Sequence, residues 1–556
     1  KSSLNVTSTN NYENIVVETP PDKFDSDLST NICLILGKKN NINPKNLAEE
    51  IKKIIEKNLI NIDQVNIAGP GFLNIRLSND AKKKAILEIF KDKMVYGSLK
   101  SNKSINIEYV SANPTGPMHI GHCRGAIYGD VLSNLLKFNG NKVDREYYIN
   151  DYGNQIVNFT KSVFLRIKEL KYKDVFVNEK DLYPGEYIVD IAKKIIKDFP
   201  KEKFENFKKD YDLLSKKSLE YSMELIKSDL NKLGIKHDIF FSEKSLFKKD
   251  LVNKSIKQLK SDKFVDEGIL PPPRGEETKE WKKVKRLVFK STLFGDDIDR
   301  ALQKNDGTWT YFANDLAYHA DKISRNYSNL INVLGADHTG YIKRISAAVQ
   351  ALSKNKVKLD CKVCQLVKLF KKGQPYKMSK RAGEFITVGD LLREVNKDSI
   401  RFMMLNRSND VEIDFDFDKV LEKSKENPVF YVQYCYARIN SLFRTLKLDL
   451  NEKIIFDDKS FDLNDYEKKL LRKVLDWPKI IEAASSKYEP HRIPFYLYDL
   501  ATVFHSYWSK GNEIQKYKFI VNNKIKNINT LAIIKVVAIT LEIGMKILGV
   551  SLPKKM

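Results

Sequence analysis

The chain has 556 residues, 42% apolar and 30% charged, a globular mixture with room for roughly three or four domains. Lysine and arginine number 96 against 72 acids, a formal charge of +24 that suits a polyanionic partner such as nucleic acid; an even spread of lysine, asparagine and isoleucine makes this support rather than proof. No apolar run approaches the ~18 residues needed to cross a bilayer, the first residues lack the apolar core of a secretory signal, and the five scattered cysteines fit a reducing cytoplasm.

In chain order, residues 1–102 read as a small α+β domain. The segment "NPKNLAEEIKKIIEKNL" predicts an amphipathic helix with Leu47, Ile51, Ile54 and Ile55 on one face. Two short strands follow around the Gly-Pro-Gly turn of "VNIAGPGFLNIRLS". "INIEYV" (105–110) predicts a buried strand, 119–139 a helix with Ile120, Ile127, Val131 and Leu135 on one face, and "VDREYYIN" (143–150) a second strand. Strand, helix, strand is the start of a parallel sheet, so 103–422 reads as a Rossmann-like α/β domain. Its lysine-rich, helical stretch at about 161–273 reads as an insertion.

Strand character returns in "YSNLINVLGADHTG" and "KVCQLVKLF". Cys361 and Cys364 make a lone CxxC on the second of these; a structural metal site needs about four ligands, so none is expected there. Thr387 and Asp390 have capping-box spacing at the start of another helix. From about 423 to 556 the pattern is helical throughout, with Val432, Tyr436, Ile439 and Phe443 forming a stripe read as core. No internal repeat is found.

"NPTGPMHIGHCRGA" (113–126) concentrates the chemistry. His119 and His122 stand three apart at a predicted helix start, where unpaired N–H groups attract phosphate. Pro114, Gly116 and Pro117 set the path of the preceding loop, and Gly121 lets a flat ligand approach the backbone. A second basic segment, "YKMSKRAGEF" (376–385), carries Lys377, Met378, Ser379 and Lys380. Lysines there can neutralise charge that builds on a phosphate in a transition state. Singly these are a capped turn and a basic surface loop; in this order after a buried strand they point to an ATP site.

Both segments resemble the two signatures of class I aminoacyl-tRNA synthetases. The surrounding stretches resemble one family among them, the arginyl-tRNA synthetases: "VSANPTGPMHIGHCRGAIYGD", "YINDYGNQI", "STLFGDDIDR", "GTWTYFANDLAYHADKI", "LGADHTGYIKRI", and the ending "ILGVSLPKKM". The N-terminal "IAGPGFLNIRLS" resembles that family's tRNA-contacting domain, and the helical 423–556 its anticodon-binding bundle, with "DSIR" (398–401) in place of the usual "DALR".

The resemblance implies arginine activation by ATP, with Mg²⁺ accompanying the nucleotide, then transfer to the 2′-hydroxyl of the tRNA's terminal adenosine. It implies no tightly bound cofactor and no structural metal. Its implied ATP-binding residues are Thr115, Gly116, His119, Gly121, His122, Met378, Ser379 and Lys380, with His119, His122, Lys377 and Lys380 acting in catalysis and Lys380 the main lysine. The implied arginine-binding residues are Glu108, Ser111, Asn113, His122, Tyr311, Asp315 and His338. His338 stands where the family's eukaryotic members carry glutamine. A planar guanidinium is matched by carboxylates, which agrees with Glu108 and Asp315. Phe72 and Asn74 fall near positions implied to touch tRNA. A monomer that needs bound tRNA for activation is expected. The alternatives are a class I synthetase of another specificity, such as cysteinyl or glutamyl, a tRNA-binding paralogue without catalysis, and a small-molecule nucleotidyl transferase.

Overall fold

The computed structural model describes residues 14–21, 23–270, 284–376, 386–452, 454 and 461–556. The N-terminal part is a four-stranded antiparallel sheet, in the order Val17–Glu18, Leu28–Thr30, Phe72–Leu77, Ile62–Ala68. Helices Ile32–Asn40 and Pro44–Asn58 pack on it over Cys33, Leu47, Ala48, Ile51, Val65 and Leu73. Pro44 opens the second helix, where its missing N–H costs nothing, and Asn43 caps it. Ile55 packs against this core as the periodicity predicts, but Ile54 lies at its exposed rim.

The middle part holds a five-stranded parallel sheet: β1 (Ser104–Glu108), β2 (Lys142–Ile149), β3 (Ile239–Ser242), β4 (Asn329–Gly335) and β5 (Lys358–Cys364). The spatial order is β5-β4-β1-β2-β3. The order reverses between β1 and β4, the switch point at which such sheets open a crevice at their carboxyl ends. Helix α1 (Ile120–Phe138) connects β1 to β2. Its apolar faces are buried almost all round, with Ile127, Val131 and Leu135 fully enclosed. Helices α2 (Asn154–Tyr172), α3 (Glu186–Asp198) and α4 (Phe207–Lys232) form the lysine-rich excursion, with its own apolar core. That stretch is not wholly outside the sheet: β3, within the 161–273 read as an insertion, is the edge strand paired to β2. Its four residues are too short to show a strand period among helical neighbours. Helices α5 (Tyr311–Ser324) and α6 (Ile342–Ser353) flank β4.

A smaller sheet joins Gln374–Pro375, Val367–Lys371 and Ile413–Asp416. The capping box is present, Thr387 accepting from the Asp390 N–H and Asp390 from the Thr387 N–H. The carboxyl-terminal part is a bundle of long helices, among them Pro428–Thr445, Arg492–Glu513 and Ile528–Leu548. Val432, Tyr436, Ile439 and Phe443 are buried in its core, and the bundle shares one apolar cluster with α1. Among the described residues no helix is long and apolar enough to cross a membrane.

Candidate active site

The crevice at the carboxyl ends of β1 and β4 has two flanks. On one, β1 runs into the loop 109–118, whose first turn holds Val110 and Ser111 at positive φ (70° and 42°). Non-glycine residues there are strained and persist only where the surroundings force them. Pro114, Thr115 and Gly116 are buried, and a Cβ on Gly116 would come 2.9 Å from the Tyr187 ring of α3, so a larger residue there would have to displace that ring. His119 is the N-cap of α1: its Nδ1 accepts the Gly121 N–H at 3.1 Å. The His119 and His122 rings stack with centroids 3.7 Å apart. A Cβ on Gly121 would sit 2.8 Å from the His119 ring. Gly121 thus makes room for a histidine, rather than only for a ligand as its sequence context suggests.

Burial lowers the pKa of His119, and burial followed by the nearby His119 pushes that of His122 down to about 3. Both rings are therefore neutral at pH 7. His122 Nδ1 is buried and has no hydrogen-bond partner among the described residues.

The backbone ties this turn to the second signature. The Ile120 N–H donates to Ile386 O at 2.9 Å and the Val388 N–H to Met118 O at 2.8 Å. On the other side, Tyr376 N–H donates to Leu369 O at 2.8 Å. Lys377, Met378, Ser379 and Lys380 lie outside the described residues, but the chain on both sides of them is anchored beside α1 or on the small sheet.

The other flank is acidic. Glu108 ends β1: its Oε1 accepts from Ser111 Oγ at 3.1 Å and its Oε2 from Lys322 Nζ at 2.5 Å. Lys322 is fully buried and also donates to Asn332 Oδ1 at 3.2 Å. Asp315, on the same face of α5, accepts from the Tyr341 hydroxyl, and burial pushes its carboxyl up to about 6. Tyr311, one turn earlier, stands at the exposed start of the helix. Asn113 is exposed and accepts from Asn150 Nδ2 at 3.2 Å. His338 lies on the short turn after β4, largely exposed, with Nε2 3.3 Å from Asp337 Oδ2. Phe72 is half-buried beside the glycine turn. Asn74 lies in mid-sheet at 2% exposure, between Ser29 and Asn66 of the neighbouring strands.

Two residues of the acidic flank escape the sequence reading. Glu243, directly after β3, is buried; Asn314 Nδ2 donates to its Oε1 at 3.0 Å, Oε2 has no partner, and burial pushes its carboxyl up to about 7. Lys322 follows Asp315 by seven residues, two helical turns, so helical spacing alone would have placed it on that face. A buried carboxyl after a four-residue strand carries no comparable pattern. Among the described residues no group of three or more His, Cys, Asp or Glu side chains is arranged to hold a metal.

Known proteins match the chain from end to end. The family model for the arginyl tRNA synthetase N-terminal domain matches residues 1–77, that for the class I (R) tRNA synthetase catalytic domain residues 85–443, and that for the DALR anticodon binding domain residues 432–556. The arginine–tRNA ligase of Pelagibacter ubique is 51% identical over 547 residues, covering 97% of this chain and 94% of the relative. That of Rickettsia bellii is 43% identical, covering 96% and 94%. The solved arginyl-tRNA synthetase of Campylobacter jejuni superposes with a TM-score of 0.75 at 32% identity, over 86% of this chain and all of that one. The Thermus thermophilus enzyme shares the fold at 19% identity, with a TM-score of 0.70 over 98% and 96%. A stacked neutral histidine pair at a helix start, set across a switch-point crevice from carboxyls, accords with these matches, and the chain belongs to the arginyl-tRNA synthetases of class I.

Proposed function

We propose that the crevice at the end of β1 is where this arginine–tRNA ligase makes arginyl-adenylate and passes the arginine to tRNA. The observation that carries this is that the strand ends bring a phosphate-type helix start, with its stacked histidines, to the same side of the sheet as the carboxyls Glu108 and Glu243. ATP lies along the loop Thr115–Gly116 and the start of α1, with the neutral rings of His119 and His122 donating to phosphate oxygens. The arginine guanidinium enters among Glu108, Asp315 and Glu243, with Tyr311 over its entrance. Its amino end meets Ser111 and Asn113, and His338 closes the mouth of the pocket.

The arginine carboxylate then attacks the α-phosphorus of ATP and pyrophosphate leaves. No protein nucleophile is needed; positioning and charge stabilisation suffice. Lys380, assisted by Lys377, with Met378 and Ser379 beside them, neutralises the pyrophosphate, and Mg²⁺ enters with the nucleotide as substrate. In the second step the terminal adenosine's 2′-hydroxyl attacks the activated carbonyl and AMP leaves.

The flanking parts serve tRNA: residues 1–102 its corner, by way of Phe72, and 423–556 its anticodon. In the latter, Arg438 lies over the rings of Tyr434 and Trp508 (4.2 and 5.3 Å), a cation–aromatic surface of the kind on which unpaired bases stack. The five cysteines are free, and the enzyme is read as a cytoplasmic monomer.

The test is ATP–pyrophosphate exchange with each of the twenty amino acids, with and without tRNA. Exchange with arginine alone, and only with tRNA present, is the expected result; exchange driven by another amino acid overturns the specificity. Lys380→Ala should cut exchange by two orders of magnitude or more, roughly the loss of one transition-state donor.

A further inference from the structure

Arg124, five residues past His119 on α1, is among the most deeply buried cations of the chain, at 1% exposure. Its hydrogen-bond partners are three main-chain carbonyls: Nη1 donates to Gln365 O at 3.0 Å and Val411 O at 2.6 Å, and Nη2 to Ser408 O at 2.7 Å. Burial lowers its pKa, the nearby Cys364 and Asp410 offsetting only part of the loss of water, and it forms no ion pair among the described residues. An apolar side chain would fill such a space at less cost, so packing alone does not account for a charge there.

The three carbonyls have a common structural role. Gln365 follows β5 directly, and the loop 408–411 is knitted to it: the Gln365 N–H donates to Asn409 O at 2.8 Å, Asn409 Nδ2 to Val363 O at 2.8 Å, and the Ile413 N–H to Leu366 O at 3.1 Å. These two segments lead into Val367–Lys371 and Ile413–Asp416, paired in parallel, with Gln374–Pro375 on the other edge. That small sheet is the base from which the lysine signature departs. Downstream of the signature, Ile386 and Val388 bond to the backbone of Ile120 and Met118. Among the hydrogen-bonded connections of the described residues, one between the two signatures is therefore backbone to backbone and another passes through Arg124, beside the apolar packing they share.

We propose that Arg124 is a positioning residue for arginine activation: its guanidinium, by holding Gln365, Ser408 and Val411, sets the spacing between the histidine end of α1 and the sheet that carries the lysine signature. The proposal rests on both signatures facing ATP. Displacement of about 1 Å between groups that stabilise one transition state can cost on the order of 100-fold in rate. The second step involves no pyrophosphate, so its rate does not depend on that spacing.

The test uses the full chain with Arg124→Lys, which keeps the charge but cannot span three carbonyls. Rates are normalised to titrated active sites. Expected are a 10- to 100-fold fall in kcat for ATP–pyrophosphate exchange, a KM for arginine within threefold of the parent, and transfer from added arginyl-adenylate to tRNA within threefold. Exchange within threefold of the parent, or equal losses in exchange and transfer, overturns the proposal. If Arg124→Lys does not fold, Asn409→Ala takes its place; it loosens the same loop from Val363 and should give the same split at about three- to tenfold, and equal or absent losses overturn the proposal in the same way. Lys380→Ala run alongside separates the claims. Exchange that survives Lys380→Ala overturns the reading of the signatures on which the proposal rests; exchange lost there but intact in Arg124→Lys overturns the positioning role alone.

Discussion

The two flanks of the crevice meet the same force with opposite charges. On the nucleotide flank, burial strips protons from His119 and His122; on the amino-acid flank, burial adds protons to Asp315 and Glu243. Each flank is held closer to neutrality than its residue types suggest. On the proposed reading, charge then arrives with the substrates: a guanidinium would restore the carboxylates, while the histidines would stay neutral donors and leave positive charge to the lysine signature. Glu108 differs from its neighbours because it has an internal counter-ion in Lys322.

The sharpest way to break this comparison is Asp315→Asn. Removing one partner of a buried charge pair costs about 2–5 kcal/mol, so kcat/KM for arginine should fall by roughly 30- to 5,000-fold, measured by exchange with tRNA present. A change under threefold would show that the guanidinium does not meet Asp315. The nucleotide flank should respond differently. His122→Asn should lower kcat for exchange on the order of 10- to 100-fold with KM for arginine little changed, because the contact strengthens only as charge builds on phosphate. A rise in arginine KM alone would move His122 to the other flank.

The smallest effect is the most diagnostic of the opposite shifts. Asp315 and Glu243 keep protons up to about pH 6 and 7, and guanidinium binding needs them ionised. Arginine KM should therefore rise as pH falls below about 7, with proton release on binding seen by calorimetry in two buffers. For stability the signs oppose. A carboxyl raised in the folded state makes stability fall as pH rises from about 4 through its folded value. A histidine lowered in the folded state makes stability fall as pH drops from about 6.5 toward 3. Denaturant titrations across pH 4–7 should show Asp315→Asn and His122→Asn changing the slope in opposite directions, each by up to about 1.4 kcal/mol per pH unit. Parallel changes would mean that one flank is not buried as described.

Much of this arrangement could be read from the chain. The helix start at His119, a strand carrying Glu108 (read to Val110, observed to Glu108) and the one-turn spacing of Tyr311 and Asp315 follow from local pattern, which a single helix or strand determines. Glu243 could not be read because β3 is four residues long and pairs with β2 some ninety residues away. The burial of Asn74 could not be read because strand alternation names two faces without saying which is covered. The role of Gly121 depended on where the His119 ring turns, a matter of side-chain packing rather than of turn propensity.

By itself, the sequence determined the family, most of the elements that frame the crevice, the two signatures and the residue types that answer a guanidinium, because those rest on local periodicity and on motifs a few residues long. Only the tertiary structure decided which charges are buried, that Lys322 is the counter-ion of Glu108, and that Arg124 bridges segments some 240 to 290 residues apart. Those depend on which distant surfaces exclude water from one another, and no local pattern of residues records that.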